Sequence, residues 1–233
     1  MKGGGEMDGE VHRSIAELAR DMHRLSSSED NVDAVVASIT AGAVSQVHGA
    51  QFAGVLLVDK KKNFETIGLT DPVVQTLDTI QKEADEGPCL EAAWEHSTVR
   101  MNNFDDEPRW PAFAARAVRE TAVRSSLSFQ LFTHEGAMGA LNLFSEKSDA
   151  FSRESEELGL IYATHAALAL FRARQEEQFK SALASRDLIG QAKGVIMERF
   201  SVDAIQAFDL LRKLSQDSNI PLVKVAQKLI EAR

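Results

Sequence analysis

Val123-Arg124-Ser125-Ser126-Leu127-Ser128-Phe129-Gln130-Leu131-Phe132, then Met138-Gly139-Ala140-Leu141-Asn142-Leu143-Phe144, is the stretch that decides the fold. Val123, Leu127, Phe129 and Leu131 are spaced in multiples of two, which places them on one side of an extended chain. His134-Glu135-Gly136 supplies the turn between the two runs. Two strands joined by so short a connection form an antiparallel hairpin.

A second hairpin lies upstream. Phe52 to Val58 is a short, nearly continuous apolar run, Asp59 to Asn63 is a polar turn, and Phe64 to Leu69 resumes an extended pattern. Around these strands the three-and-four spacing of Val32, Val35, Val36, Ile39, Ala43 and Val47 predicts a helix. Further helices are expected from Pro72 towards Ala84 and around Phe113 to Arg119. Pro88, Pro108 and Pro111 punctuate a mixed region with a short strand at Thr98 to Asn102. Nearer the N-terminus, Val11, Ile15, Leu18, Met22 and Leu25 describe an amphipathic helix, and Ser26-Ser27-Ser28 and Asp30 are cap candidates for the helix that follows. The sum is an α+β sensor-like module with an antiparallel sheet of about five strands flanked by helices.

From Phe151 to Gly194 the chain contains no proline, which predicts a long linking helix. Leu158, Ile161, Leu168, Phe179, Ala182 and Ile189 form either a coiled-coil seam interrupted by His165, Arg172, Gln175 and Arg186, or a helix that packs one face on its own sheet and then crosses to the next domain; both readings stay open. An all-α unit of three helical pieces follows. Val195, Ile196 and Phe200 are core candidates in the first piece. Ser201 or Asp203 caps the second, whose stripe is Ala204, Ala207, Phe208, Leu211 and Leu214. Asp217-Ser218-Asn219 turns the chain, and Pro221 opens the third, with Leu222, Val225, Ala226, Leu229 and Ile230 inward.

Composition narrows the function. No run of about 18 apolar residues exists, and Met1-Lys2-Gly3-Gly4-Gly5-Glu6 has no apolar core behind it, so a membrane span and a signal peptide are not expected and the protein is placed in the cytoplasm. The single cysteine, Cys89, rules out an intrachain disulfide framework and an all-cysteine zinc site. The six histidines show no metal spacing, and there is no Gly-x-Ser-x-Gly elbow, P-loop or dinucleotide fingerprint; neither an enzyme nor a metal site is predicted. The net charge of -9 is unevenly distributed: residues 174 to 233 hold 10 Lys/Arg against 8 Asp/Glu, whereas residues 1 to 173 hold 16 against 27. The closing segment is basic relative to its body. Lys193, Arg199, Arg212, Lys213, Lys224 and Lys228 leave its apolar stripes, either as phosphate contacts or as ordinary solubilising charges.

Two resemblances sharpen this. Gly139-Ala140-Leu141-Asn142-Leu143-Phe144-Ser145, Phe151-Ser152, Leu158, Ala163, Ala166 and Leu170 resemble the closing strand and helix of a GAF domain, which implies a fold and a pocket over residues 28 to 172. Ala192-Lys193-Gly194-Val195-Ile196-Met197, the spacing to Ala207-Phe208 and Leu211-Arg212, then Leu214-Ser215, Asn219 and Val225-Ala226 resemble the ANTAR domain of transcription antitermination regulators, from Ser181 to Ile230. The expected organisation is an N-terminal segment at 1 to 27, a GAF-like sensor at 28 to 172, and a linker helix with an ANTAR domain at 173 to 233. The resemblance implies a bacterial signal-responsive antitermination regulator that binds small stem-loops in leader transcripts, as a homodimer, under GAF control. RNA contact is expected from Lys193, Arg199, Arg212, Lys213, Lys224 and Lys228, with close backbone approach at Ala192 and Gly194; Phe200 and Phe208 are expected in the core.

No cofactor is predicted, and a small ligand of the GAF-like pocket, or a protein signal, is left open. Cys89, after Gly87-Pro88, is the sensor candidate, read either as redox or tetrapyrrole chemistry or as a small residue at a helix start; bilin-binding relatives commonly place His beside the cysteine, where this chain has Leu90. Two competing readings remain: a receiver-type domain phosphorylated at Asp59, which would need parallel strands alternating with helices, and a protein-docking module without RNA binding.

Overall fold

The computed structural model describes residues 32–59, 63–95, 98–131 and 138–232; the expected helix at Val11 to Leu25, the caps at Ser26 to Ser28 and Asp30, and the His134 turn lie outside them. The chain divides into two compact units, Met1–Ala173 and Arg174–Arg233.

In the first unit, α1 (Val32–Gln46) precedes β1 (Phe52–Val58) and β2 (Phe64–Ile67). Then come α2 (Pro72–Ala84), α3 (Pro88–Glu95), β3 (Thr98–Met101), a 3-10 turn at Phe104–Asp106 and α4 (Pro111–Glu120). The hairpin strands β4 (Ser125–Leu131) and β5 (Met138–Ser145) close the sheet before α5 (Arg153–Phe200). The sheet order is β2-β1-β5-β4-β3, with every neighbouring pair antiparallel. That excludes the parallel sheet a receiver-type domain requires. Asp59 instead closes the β1–β2 connection, its carboxylate accepting from the Asn63 backbone N–H at 2.9 Å and side-chain amide at 2.7 Å.

The pleat divides the core into two layers. Leu127, Phe129 and Leu131 of β4, with Ala53 and Val55 of β1 and Leu141 and Leu143 of β5, meet Val36, Ile39 and Ala43 of α1 and Tyr162, Ala163 and Ala166 of α5. Leu56, Val58, Ala140 and Phe144 on the opposite face meet Val74, Leu77 and Ile80 of α2, Cys89 and Ala92 of α3, and Phe113, Ala114 and Ala117 of α4. Both faces are covered, which explains why β1 reads as continuously apolar. Val123 departs from expectation: it precedes β4 and packs in the second layer, opposite Leu127 and Phe129. Parity is informative only where the chain is already extended. Gly159 lets α5 press on the sheet, because a Cβ there would strike the Phe129 ring.

α5 runs unbroken for 48 residues. Its apolar stripe serves different cores. Leu158 and Ile161 pack against the first layer, and Ile189 packs in the core of the second unit. Leu160, Leu168, Phe171, Phe179, Leu183 and Phe200 are exposed large apolar residues along its length.

In the second unit α6 (Ala204–Ser218) and α7 (Leu222–Glu231) follow the end of α5. Asp203 rather than Ser201 caps α6, accepting from the N–H groups of Ile205 at 2.9 Å and Gln206 at 2.8 Å in a capping box. Asn219, left-handed at φ 53, ends the helix. Ala192, Ile196, Ala207, Leu211, Val225 and Ala226 form the core, with Leu222, Leu229 and Ile230 packed against it.

Candidate nucleic-acid interface and sensor face

The expected RNA-contact residues separate by burial. Ala192 has no exposed surface and belongs to the core, so its side chain offers no contact. Gly194, two residues on, is exposed, and a Cβ there would meet nothing within 4 Å. Packing therefore does not explain this helix-interior glycine, which costs about 1 kcal/mol against alanine. Lys193 is half-buried, while Arg199, Arg212, Lys213, Lys224 and Lys228 are exposed. Arg212 is partly engaged by Asp209 at 3.4 Å, and Lys224 reaches Gln227 at 3.5 Å. The side chains free to meet phosphates lie on α5, α6 and α7.

Several core expectations fail on this unit. Phe200 is 61% exposed, and Phe208 is 38% exposed with the Lys193 ammonium over its ring at 5.9 Å. Leu214 is 49% exposed, and of the α6 stripe only Ala207 and Leu211 are buried. Val195 is half-buried rather than enclosed. The cause is size: a three-helix unit has too little interior to enclose every residue of a stripe, so the flanks reach solvent. Sequence reasoning also missed Ile205, which is 76% exposed.

In the first unit the sheet face beneath α2 and α3 carries a polar cluster. Ser126 and Ser128 on β4 and Asn142 on β5 are fully buried, and Ser128 stands opposite Asn142 in register. Among the described residues, the Ser126 hydroxyl and both amide atoms of Asn142 have no hydrogen-bond partner. An unpaired buried polar group costs roughly 1–3 kcal/mol, so three together are a strained arrangement. Cys89 lies beside them, its Sγ 3.8 Å from the Ser128 hydroxyl and receiving the Gln81 amide at 2.8 Å, while Gln81 Oε1 accepts from the Cys89 N–H at 2.9 Å. Gly87 makes room for that Gln81 side chain at φ +142. Burial, with the nearby Asp78 carboxyl, pushes the Cys89 thiol well above its ordinary range. A buried thiol held protonated is a poor nucleophile and metal ligand, so the geometry favours the small-residue reading. Asp78 is buried as well; desolvation raises its carboxyl from the ordinary 3.8 to about 7, against the lowering effect of the Thr66 hydroxyl donating at 2.8 Å. The arrangement offers hydrogen-bond donors and acceptors but no nucleophile paired with a base, and no three-ligand metal cluster exists among the described residues.

Comparison with known proteins places both units. A GAF domain model matches residues 29–170. The chain belongs to the GAF-domain family. An ANTAR domain model matches residues 177–230, so the GAF sensor domain is followed by a domain of the RNA-binding, antitermination type. The fold of the GAF domain is similar to that of a GAF domain from Synechocystis in its photoproduct state, with a TM-score of 0.52 at 13% identity over 64% of this chain and 99% of that one. It is similar also to the GAF domain of a Coxiella burnetii phosphoenolpyruvate-protein phosphotransferase, with a TM-score of 0.51 at 14% identity over 71% of this chain and 98% of that one. These likenesses concern the fold alone. No curated protein matches the chain. Among the described residues no helix is long and apolar enough to cross a membrane.

Proposed function

We propose that this GAF-ANTAR protein is a cytoplasmic, signal-responsive transcription antitermination regulator that binds small RNA stem-loops in leader transcripts and performs no catalysis. The observation that carries the reading is Lys193 beside Gly194. An ammonium and a stretch of bare backbone stand together on α5, inside the segment matched by the ANTAR domain, where packing requires no glycine. RNA loops present unstacked bases and close phosphates, and a backbone without a Cβ lets them approach. The exposed Arg199, Arg212, Lys213, Lys224 and Lys228 supply the remaining positive charge.

Dimerisation belongs to the same reading. Leu168, Phe179 and Leu183 leave apolar surface on a 48-residue helix. Pairing two chains there would present two RNA sites at high effective concentration and offset the small basic excess of each. For the signal, the unpaired Ser126 and Asn142 atoms favour a small molecule that presents both a donor and an acceptor to the sheet face. Crosslinking RNA to the full-length protein in cells and sequencing it tests the proposal. Enrichment of leader-region stem-loops supports it, and recovery of no RNA above background favours the protein-docking alternative.

A further inference from the structure

Phe208 is the aromatic residue that expectation placed in the core and the structure places at the surface, with Lys193 over its ring at 5.9 Å. Phe200 lies seven residues beyond Lys193, on the same line of α5, and is also exposed. Phenylalanine at a helix flank ordinarily lies down on the core, yet neither ring is among the buried residues of this unit's cluster, and Phe208 keeps 38% of its surface exposed. We infer that Phe208 is a stacking platform for one unstacked nucleobase of the bound RNA, and that Lys193 covers the ring until the base displaces it and the ammonium moves to a neighbouring phosphate.

The inference rests on the RNA-binding reading and deepens it. An exposed cation–π contact is weaker than base–aromatic stacking, so the exchange runs towards the bound state. The ammonium also gains a phosphate in place of a ring, a stronger charge-assisted contact. Charge surroundings favour a nucleic acid over a second copy of the chain: Lys193 lies over the Phe208 ring, and Arg212 stands one helical turn further along α6, partly engaged by Asp209 at 3.4 Å. Gly194, adjoining Lys193, leaves bare backbone where the displaced side chain and the incoming strand must pass.

The test uses the full chain and an RNA recovered with it from cells, resynthesised with 2-aminopurine at each loop position in turn. Affinity, loop fluorescence and oligomeric state are measured for the wild type, Phe208→Ala, Phe208→Leu and Phe208→Trp. The inference expects Phe208→Ala and Phe208→Leu each to lose between about 5-fold and 150-fold in affinity, the range of one stacked base. Phe208→Trp retains binding, one loop position changes fluorescence only when an aromatic ring is present, and the dependence on salt keeps its slope. Wild-type-like affinity in Phe208→Leu overturns stacking. Loss of affinity in Phe208→Ala together with a change of oligomeric state assigns the ring to an interface between copies and overturns it too. If the wild type binds tightly and all three variants match it, only the stacking inference falls; if no RNA is recovered with the wild type and it binds none, the RNA-binding reading falls with it.

Discussion

At the residue scale, burial separates side chains that look alike in sequence. Ala192 and Gly194 are near neighbours of similar size, yet one fills the core and the other faces solvent. Lys193→Ala is expected to weaken RNA binding and reduce its salt slope by about 0.7 to 1, the share of one phosphate contact, without unfolding the domain; unchanged affinity at moderate salt removes Lys193 from the site. Asp78 gives a second prediction. Its folded carboxyl keeps its proton to about pH 7, whereas the unfolded chain releases it near 3.8. The folded state thus binds more protons across that interval, and stability falls as pH rises through it. Asp78→Asn should abolish this fall and leave the protein more stable above pH 7, by at most roughly 4 kcal/mol at 1.36 kcal/mol per pH unit. Denaturant titrations of both proteins at pH 5 and pH 8 check this; an equal pH dependence in the two would show that Asp78 ionises normally.

At the element scale, the hairpins, α2 and α4 were legible because period-two and three-and-four spacings are strong where one face is buried, and Asp71-Pro72 marks a helix start by chemistry alone. Less was legible where tertiary context rules. α3 was not anticipated beyond Pro88 and Cys89 at its start, because eight residues between proline and strand are too few to show a period. The α5 stripe left two readings open because its apolar residues serve different cores in turn. Phe200 and Phe208 were misplaced because hydrophobicity does not reveal how much interior a small unit has. The helix context of Gly194 yields a two-signed prediction. Gly194→Ala should stabilise the second unit by about 1 kcal/mol, since alanine favours the helix and its methyl group meets nothing, while RNA affinity drops; a stabilised variant with intact affinity would leave the glycine without a binding role. Gly159→Ala should do the opposite, costing roughly 1–3 kcal/mol as its methyl group drives into Phe129, measured by denaturant unfolding.

For the molecule as a whole, charge and chemistry are divided between the units. Acidic residues dominate residues 1 to 173, and the small basic excess falls within the segment matched by the ANTAR domain. The GAF domain provides a buried polar face beside Cys89, whose thiol burial holds well above its ordinary range. The ANTAR domain provides cations, bare backbone and exposed aromatic rings. The central claim is that these meet RNA. Its most direct test is the affinity of the full-length protein for a leader-region stem-loop RNA, measured from low to moderate salt. The account predicts binding whose logarithm falls linearly with the logarithm of salt concentration, with a slope corresponding to several neutralised phosphates. Binding that is absent, or insensitive to salt, would contradict it.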